Sequence, residues 1–156
     1  MSRNFPLRTP GVEMFVGGVM TLEWQNFFRD IYSEGEWDPE LEFGGASVGL
    51  TYSSRSGRFA IVANNLYVYT IGIVLTSKGT SVGAATISLP TTANSCPFSS
   101  MFITAGVTVV PPILIRSTGT SQVQMGQYNA GAFIAITDSD FANNSSFEIS
   151  GFYFAP

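Results

Sequence analysis

Five carboxylates, Glu34, Glu36, Asp38, Glu40 and Glu42, recur at every second position and form the densest run of acid–base or metal-binding side chains in the sequence. Two chemistries use such groups. A glycosidase pairs one carboxyl as acid with a second as nucleophile or base, and a calcium loop wraps several around the ion. The calcium loop sets oxygen ligands around a turn-forming glycine and closes on a bidentate acid at fixed spacing, and that spacing is missing. A glycosidase pair is assembled in space, so the linear sequence leaves it open. Strict alternation in an extended segment puts all five on one face, which fits a solvated, partner-excluding or edge-protecting role.

The remaining nucleophiles and ligands are sparse. There is no histidine, so neither a Ser-His-Asp nor a Cys-His set can be built. Cys96 is the single cysteine; it excludes an intrachain disulfide and reads as a small buried or half-buried loop thiol. Asp138 and Asp140 stand beside Thr137 and Ser139, where an aspartate in a turn more often caps backbone N–H groups than binds metal or transfers protons. Gly17-Gly18 and Gly44-Gly45 lack the Lys-Ser/Thr that follows a phosphate loop. Asn143-Asn144-Ser145-Ser146 holds overlapping glycosylation patterns, read as loop residues without a secretory signal. The expectation is a protein that is not an enzyme, with no catalytic, cofactor or metal residues.

Composition narrows the class further. The chain has 156 residues, of which 12% are charged and 13% aromatic, with net charge −4. The charged share is about half the usual quarter, and serine, threonine, glycine and asparagine fill the gap. This suits a β-protein with hydroxyl-rich faces, or a subunit covered by neighbours; the aromatic content argues against disorder. Residues 1–42 carry eight of the eleven acids, leaving Asp138, Asp140 and Glu148 for the remainder. One lysine and six scattered arginines make no basic stripe, so nucleic acid is not expected as a partner. No basic region followed by a continuous apolar run opens the chain, and Val12–Met20, broken by Glu13, Gly17 and Gly18, is far short of the ~20 residues of a spanning helix. Neither a signal peptide nor membrane insertion is expected.

Those residues must be positioned by an anchor and a body. Pro6 and Pro10 forbid a regular helix and bias Phe5 and Thr9 toward extended conformations. An arm carrying Phe5, Leu7 and Phe15 is too apolar for a solvated tail and is expected to lie on another protein or to fold back on its own subunit. Thr21–Ser33 predicts one short helix, capped by Thr21, with Trp24, Phe27, Phe28 and Ile31 at i, i+3, i+4 and i+7. Twelve or so residues are marginal alone in water, so the stripe needs a docking surface: its own sandwich, identical helices at a threefold axis, or a larger partner. From Phe43 onward, runs rich in β-branched and aromatic residues (Arg58–Val62, Leu66–Leu75, Ala84–Leu89, Met101–Val110, Ile113–Ser117, Ser121–Met125, Ala132–Thr137, Ser146–Phe154) alternate with turn signals. The fold predicted is mostly β: an antiparallel β-sandwich or jelly-roll-like domain over 36–156, preceded over 1–35 by an extended N-terminal arm and one short α-helix. The last strand turns apolar on both faces, so its end is expected to be buried, as between subunits. Binding is expected on loops, with Lys78, Thr80, Tyr128 and Asn129 as candidate contacts; Tyr128 reads as a turn residue or a sugar-stacking ring.

The stretch Trp37, Pro39, Leu41, Phe43-Gly44-Gly45, Gly49, Thr51-Tyr52, Gly57-Arg58-Phe59 and Leu75-Thr76-Ser77-Lys78-Gly79-Thr80-Ser81 resembles the C-terminal head domain of tailed-phage tail-fibre and related virion proteins. Ala63-Asn64-Asn65 stands where that pattern has a Gly-Asn pair, so that turn departs from it. Ile136–Phe141 and Ile149–Tyr153 are similar to the end of such domains, and Asn4–Pro10 with Thr21–Phe28 to the short arms of small phage structural proteins. The resemblance implies a homotrimeric virion protein made in the bacterial cytoplasm and attached through residues 1–35 to another phage structural protein. It also implies a tail-fibre or receptor-binding role toward a host-surface glycan or protein. A capsid decoration, cement or head-fibre protein is the alternative, kept open by the short length without a shaft-like segment; a polysaccharide-cleaving tail enzyme is the outside one.

Overall fold

The computed structural model describes residues 15–22, 24–26, 33–62, 65–93, 98–109, 114–117 and 121–156. The anchor is described in part. Phe15–Val16 (β1) and Val19–Met20 (β2) form a hairpin across Gly17-Gly18, so the segment read as an extended arm ends in a turn. Leu22 and residues 24–26 are helical, and the Gln25 N–H donates to the Thr21 carbonyl at 3.0 Å. Phe5, Leu7, Phe27, Phe28 and Ile31 lie outside the described residues, as do Cys96 and Pro111-Pro112.

The body is built by period-two alternation. The strand Leu66–Lys78 (β6) turns Tyr69, Ile71, Ile73 and Leu75 inward, each at most 2% exposed, and Val68, Thr70 and Thr76 outward. It pairs on one side with Leu50–Val62 (β5) through a turn in which Asn65 takes φ 59°, the left-handed geometry that asparagine tolerates. On its other side lies Phe141–Phe154 (β12), with Phe147↔Ile73 and Ile149↔Ile71 in register. Ser33–Trp37 (β3) closes one edge against β5, and Phe98–Val107 (β8) closes the other against β12. The sheet order is β3-β5-β6-β12-β8.

A second antiparallel sheet covers its inner face. Leu41–Phe43 (β4), Ala85–Ser88 (β7), Gln122–Asn129 (β10) and Ala132–Ala135 (β11) run in the order β11-β10-β7-β4, and Leu114–Ser117 (β9) also pairs with β10. Leu41, Phe43, Ala85, Ile87, Val123 and Met125 face Tyr69, Ile71, Ile73, Leu75, Phe147 and Ile149 in one buried cluster. Full burial of each large apolar side chain is worth about 1.5–3 kcal/mol, and this layer holds the two sheets together. The protein is thus mostly β, with two antiparallel sheets stacked as a sandwich, as the series of β-rich runs and turn signals predicts.

Several strands differ from the sequence reading: Ser33, expected to end the helix, opens β3, and β5 begins at Leu50, ahead of the run expected from Arg58. Gly126–Asn129, expected as loop, continues β10, and the turn shrinks to Ala130-Gly131 between Asn129 and Ala132. The closing strand starts at Phe141, with a register shift against β8 where Ser145 is fully buried. The Ser145 hydroxyl donates its one hydrogen to the Gly106 carbonyl at 2.6 Å, with the Ala142 carbonyl also within reach at 2.8 Å, and accepts the Ala142 N–H at 3.0 Å. The residue read as part of a glycosylation pattern therefore pins a β-bulge.

Candidate functional site

The acidic run follows two sheet edges. β3 lies at the edge of the first sheet and β4 at the edge of the second, and residues 38–40 cross between them. Along this path Pro39, Leu41 and Phe43 are buried and Trp37 is half-buried, while Glu34, Glu36, Asp38 and Glu40 are exposed and Glu42 is intermediate. Charges along an edge discourage strand addition by another chain. The Glu36 carboxylate meets the Arg58 guanidinium at 3.1 Å, both side chains about three-quarters exposed at 74% and 77%, and Glu40 accepts the Ser47 hydroxyl at 3.1 Å. Among the described residues no group of three or more His, Cys, Asp or Glu side chains is placed to hold a metal ion.

The strand order also opens a trough beside these acids. β3 pairs with β5 from Ser33↔Ile61 to Trp37↔Gly57 and then leaves. From Leu50 to Ser56, no strand among the described residues lies against that side of β5. Two open concavities of about 460 and 490 Å³ lie over this stretch and share Arg55. Glu36, Trp37 and Asp38 line one end, and Glu40, Tyr52 and Ser54 the other. The Arg55 guanidinium sits 5.0 Å from the centre of the Tyr52 ring, a cation–π distance. Tyr52 is held in turn by Leu41, whose N–H donates to the phenol oxygen at 3.0 Å. Burial pushes the Tyr52 hydroxyl above its usual pKa, opposed by the Leu41 hydrogen bond and the Arg55 charge. Trp37 packs at the floor, with its indole N–H donating to the Ser88 carbonyl of the opposite sheet at 3.3 Å. Sequence reasoning did not mark Tyr52, Arg55 or Trp37 as site residues; the run Ser53-Ser54-Arg55-Ser56, polar throughout on a strand, was the signal.

The loop candidates fall into two groups. Lys78 ends β6 half-buried, and its ammonium donates to the Asp138 carbonyl at 2.9 Å while its backbone N–H donates to Asn143 Oδ1 at 3.0 Å. The following segment is stitched down as well. Thr80 and Val48 are joined by an N–H···O bond of 2.9 Å, the Ser81 hydroxyl accepts the Val48 N–H at 2.8 Å, and Asp138 Oδ1 accepts the Gly83 N–H at 2.8 Å. Asp140 accepts the Thr137 N–H at 2.8 Å, so both aspartates cap backbone, as their turn context predicts. Gly79-Thr80 thus pack on Val48–Leu50, and Phe43-Gly44 on Val82–Ala84, so these parts of the sequence pattern form one clasp between the sheets. The Thr80 side chain is exposed on its rim.

Tyr128 and Asn129 lie about half the domain away in sequence, on the β10–β11 hairpin. Tyr128 is 61% exposed and is a strand residue, not a turn residue; it meets its cross-strand partner Phe133 edge-on at 5.7 Å. Trp24, read as an anchor residue that docks on its own sandwich, on identical helices or on a larger partner, is 2% exposed within the single chain and is not part of the central cluster. Leu22 beside it is 66% exposed, as are Val16 and Val19 on the small hairpin, at 62% and 66%. Phe15 is described by its backbone alone, in β1.

The fold and edges define a two-sheet antiparallel sandwich with hydroxyl-rich outer faces. No protein-family model matches the chain, and no curated protein does. Among solved structures, the crystal structure of Dettilon tailspike protein (gp208) is similar, with a TM-score of 0.60 at 18% identity. The match covers 79% of this chain and 24% of the tailspike, so this chain spans about a quarter of that protein's length. At that identity the likeness is one of fold.

Proposed function

We propose that the protein is a structural subunit of a tailed-phage virion, of the tail-fibre or receptor-binding type. The observation that carries this reading is the sandwich itself, which most of the chain shares with part of a tailspike. In this reading residues 1–35 hold the subunit to another structural protein of the particle, and the sandwich faces outward to a host-surface glycan or protein. The tailspike likeness favours the tail over the capsid.

The same reading makes the assembly a homotrimer. Its support is an apolar patch on the outer face of the first sheet, near the end of the closing strand. Val62, Val68, Phe152 and Phe154 are each 40% to 46% exposed there, and the strand register places Phe152 beside Val68 and Phe154 beside Leu66. Covering such a patch with a second copy removes apolar surface from water at roughly 25 cal/mol per Å², and threefold symmetry would multiply weak receptor contacts. Immunogold labelling or cryo-electron microscopy of the particle tests the placement. Density at the tail supports the proposal, and density only on the capsid surface overturns it in favour of a decoration protein.

A further inference from the structure

We propose that the trough beside β5 binds an uncharged oligosaccharide. The inference deepens the receptor-binding reading and rests on it, but it places the contact away from the loops, on the β3–β4 crossover.

Three features select this ligand class. The unpaired stretch of β5, seven residues from Leu50 to Ser56, runs about 20 Å at the usual strand rise, long enough for several linked sugars and far longer than one. Its lining mixes acceptor-only carboxylates (Glu36, Asp38, Glu40), a planar five-donor guanidinium (Arg55) and serine hydroxyls. Sugar hydroxyls are both donors and acceptors, so they match that mixture, whereas a phosphate or a bare cation would want a single sign. The half-buried Trp37 and Tyr52 give the floor an apolar part on which a sugar's C–H face can rest.

The charges exclude other occupants. Arg58 is already paired with Glu36, Glu40 Oε1 accepts the Ser47 hydroxyl at 3.1 Å and Arg55 lies over the Tyr52 ring, so Asp38 and the remaining polar atoms of Glu40 and Arg55 face a ligand. A polyanionic glycan or nucleic acid would meet a net negative trough. An added peptide strand would need a regular edge, and β5 is irregular there, with register shifts between Thr51, Tyr52 and Ser54.

The full chain should be screened on an array of bacterial oligosaccharides, uncharged and polyanionic. The strongest uncharged binder is then titrated calorimetrically against wild type, Asp38→Asn, Arg55→Ala and, as a control, Tyr128→Ala. Asp38 and Arg55 are exposed, and circular dichroism checks that each variant keeps the wild-type spectrum. The expected result is retention of an uncharged oligosaccharide, weakened at least tenfold by either trough substitution and unchanged by Tyr128→Ala. Retention of polyanionic glycans alone, or equal affinity of both trough variants with wild type, overturns the trough assignment. Host-cell binding separates the two readings. Wild type and trough variants that label cells equally sink the trough and leave the receptor reading standing. A wild-type chain that labels neither cells nor array sinks both.

Discussion

Gly79 packs directly on the backbone of Val48. A Cβ built on Gly79 would collide with the Val48 carbonyl oxygen and lie 2.6 Å from the Leu50 nitrogen, and the next residue, Thr80, donates its N–H to that same oxygen at 2.9 Å. Gly79 also takes φ +70°. The glycine of the Ser77-Lys78-Gly79-Thr80 stretch is therefore a seat for the turn that follows β4, which explains the pairing of two sequence segments some thirty residues apart.

Replacing Gly79 by alanine combines left-handed strain, about 1–2 kcal/mol, with backbone overpacking of about 1–3 kcal/mol. Gly131 is the matched control, since it has φ +83° and open space around its Cβ position. Chemical denaturation should show a loss of about 2–5 kcal/mol for Gly79→Ala and about 1–2 kcal/mol for Gly131→Ala. Equal losses at the two positions would mean that the clasp is not tightly packed.

Lys78 joins the same clasp through its charge. Its bond to the Asp138 carbonyl is half-buried, and a hydrogen bond from a charged donor contributes about 1.5–3 kcal/mol. Lys78→Met should cost about 1–3 kcal/mol in urea denaturation and leave binding to host cells or glycans at the wild-type level once folding is restored. A variant of wild-type stability that no longer binds would return Lys78 to the role of a contact residue.

The places where sequence reasoning succeeds and fails follow from the range of the forces involved. The run of β-branched and aromatic residues over Leu66–Leu75 is a local signal, and the strand it predicts is present. The acidic alternation from Glu34 to Glu42 likewise becomes an outward face. Gly126 misleads because a glycine in a polar stretch reads as a break. In the fold the Phe133 ring occupies the space a Cβ on Gly126 would need, so the glycine serves cross-strand packing within β10. The exposure of Tyr128 depends on the pairing of β10 with β11, which sets it against Phe133, and the capture of Lys78 depends on Asp138, 60 residues away. The trough is illegible for the same reason. It exists because β3 stops pairing at Gly57 while β5 starts at Leu50, and register is not written in either segment alone.

Tyr153 gives the fold an alkaline limit. It is 1% exposed, stacks on Tyr67 at 5.2 Å, and its hydroxyl donates to the Thr91 carbonyl at 3.3 Å. Burial is the main cause that raises its pKa well above the ordinary 10.0, with the Thr91 hydrogen bond opposing it. The unfolded chain releases this proton near the ordinary value while the folded chain keeps it. The contribution is thus whole below about pH 10 and is lost as pH climbs above that toward the raised value. Thermal melts should hold steady through this residue's part up to about pH 10 and fall beyond it. Tyr153→Phe should flatten that fall, and an unchanged slope in the variant would assign the alkaline sensitivity to other tyrosines.

The outer apolar patch separates assembly from folding. Phe152 and Phe154 are 43% and 46% exposed on the first sheet, whereas Phe147 and Tyr153 of the same strand are 1% exposed. Polar substitution of exposed positions changes stability by about 0.5 kcal/mol or less for the isolated subunit. If these rings meet a second copy, the same change removes their share of the association energy. Light scattering on the full chain at micromolar concentration should therefore give a trimer for wild type and smaller species for Phe152→Ser with Phe154→Ser. Circular dichroism should report the same β-rich spectrum for both. A wild-type monomer would remove the trimer from the proposed function, and a double variant that stays trimeric would move the contact to another face, the first candidate being Leu22 with Val16 and Val19, all more than 60% exposed.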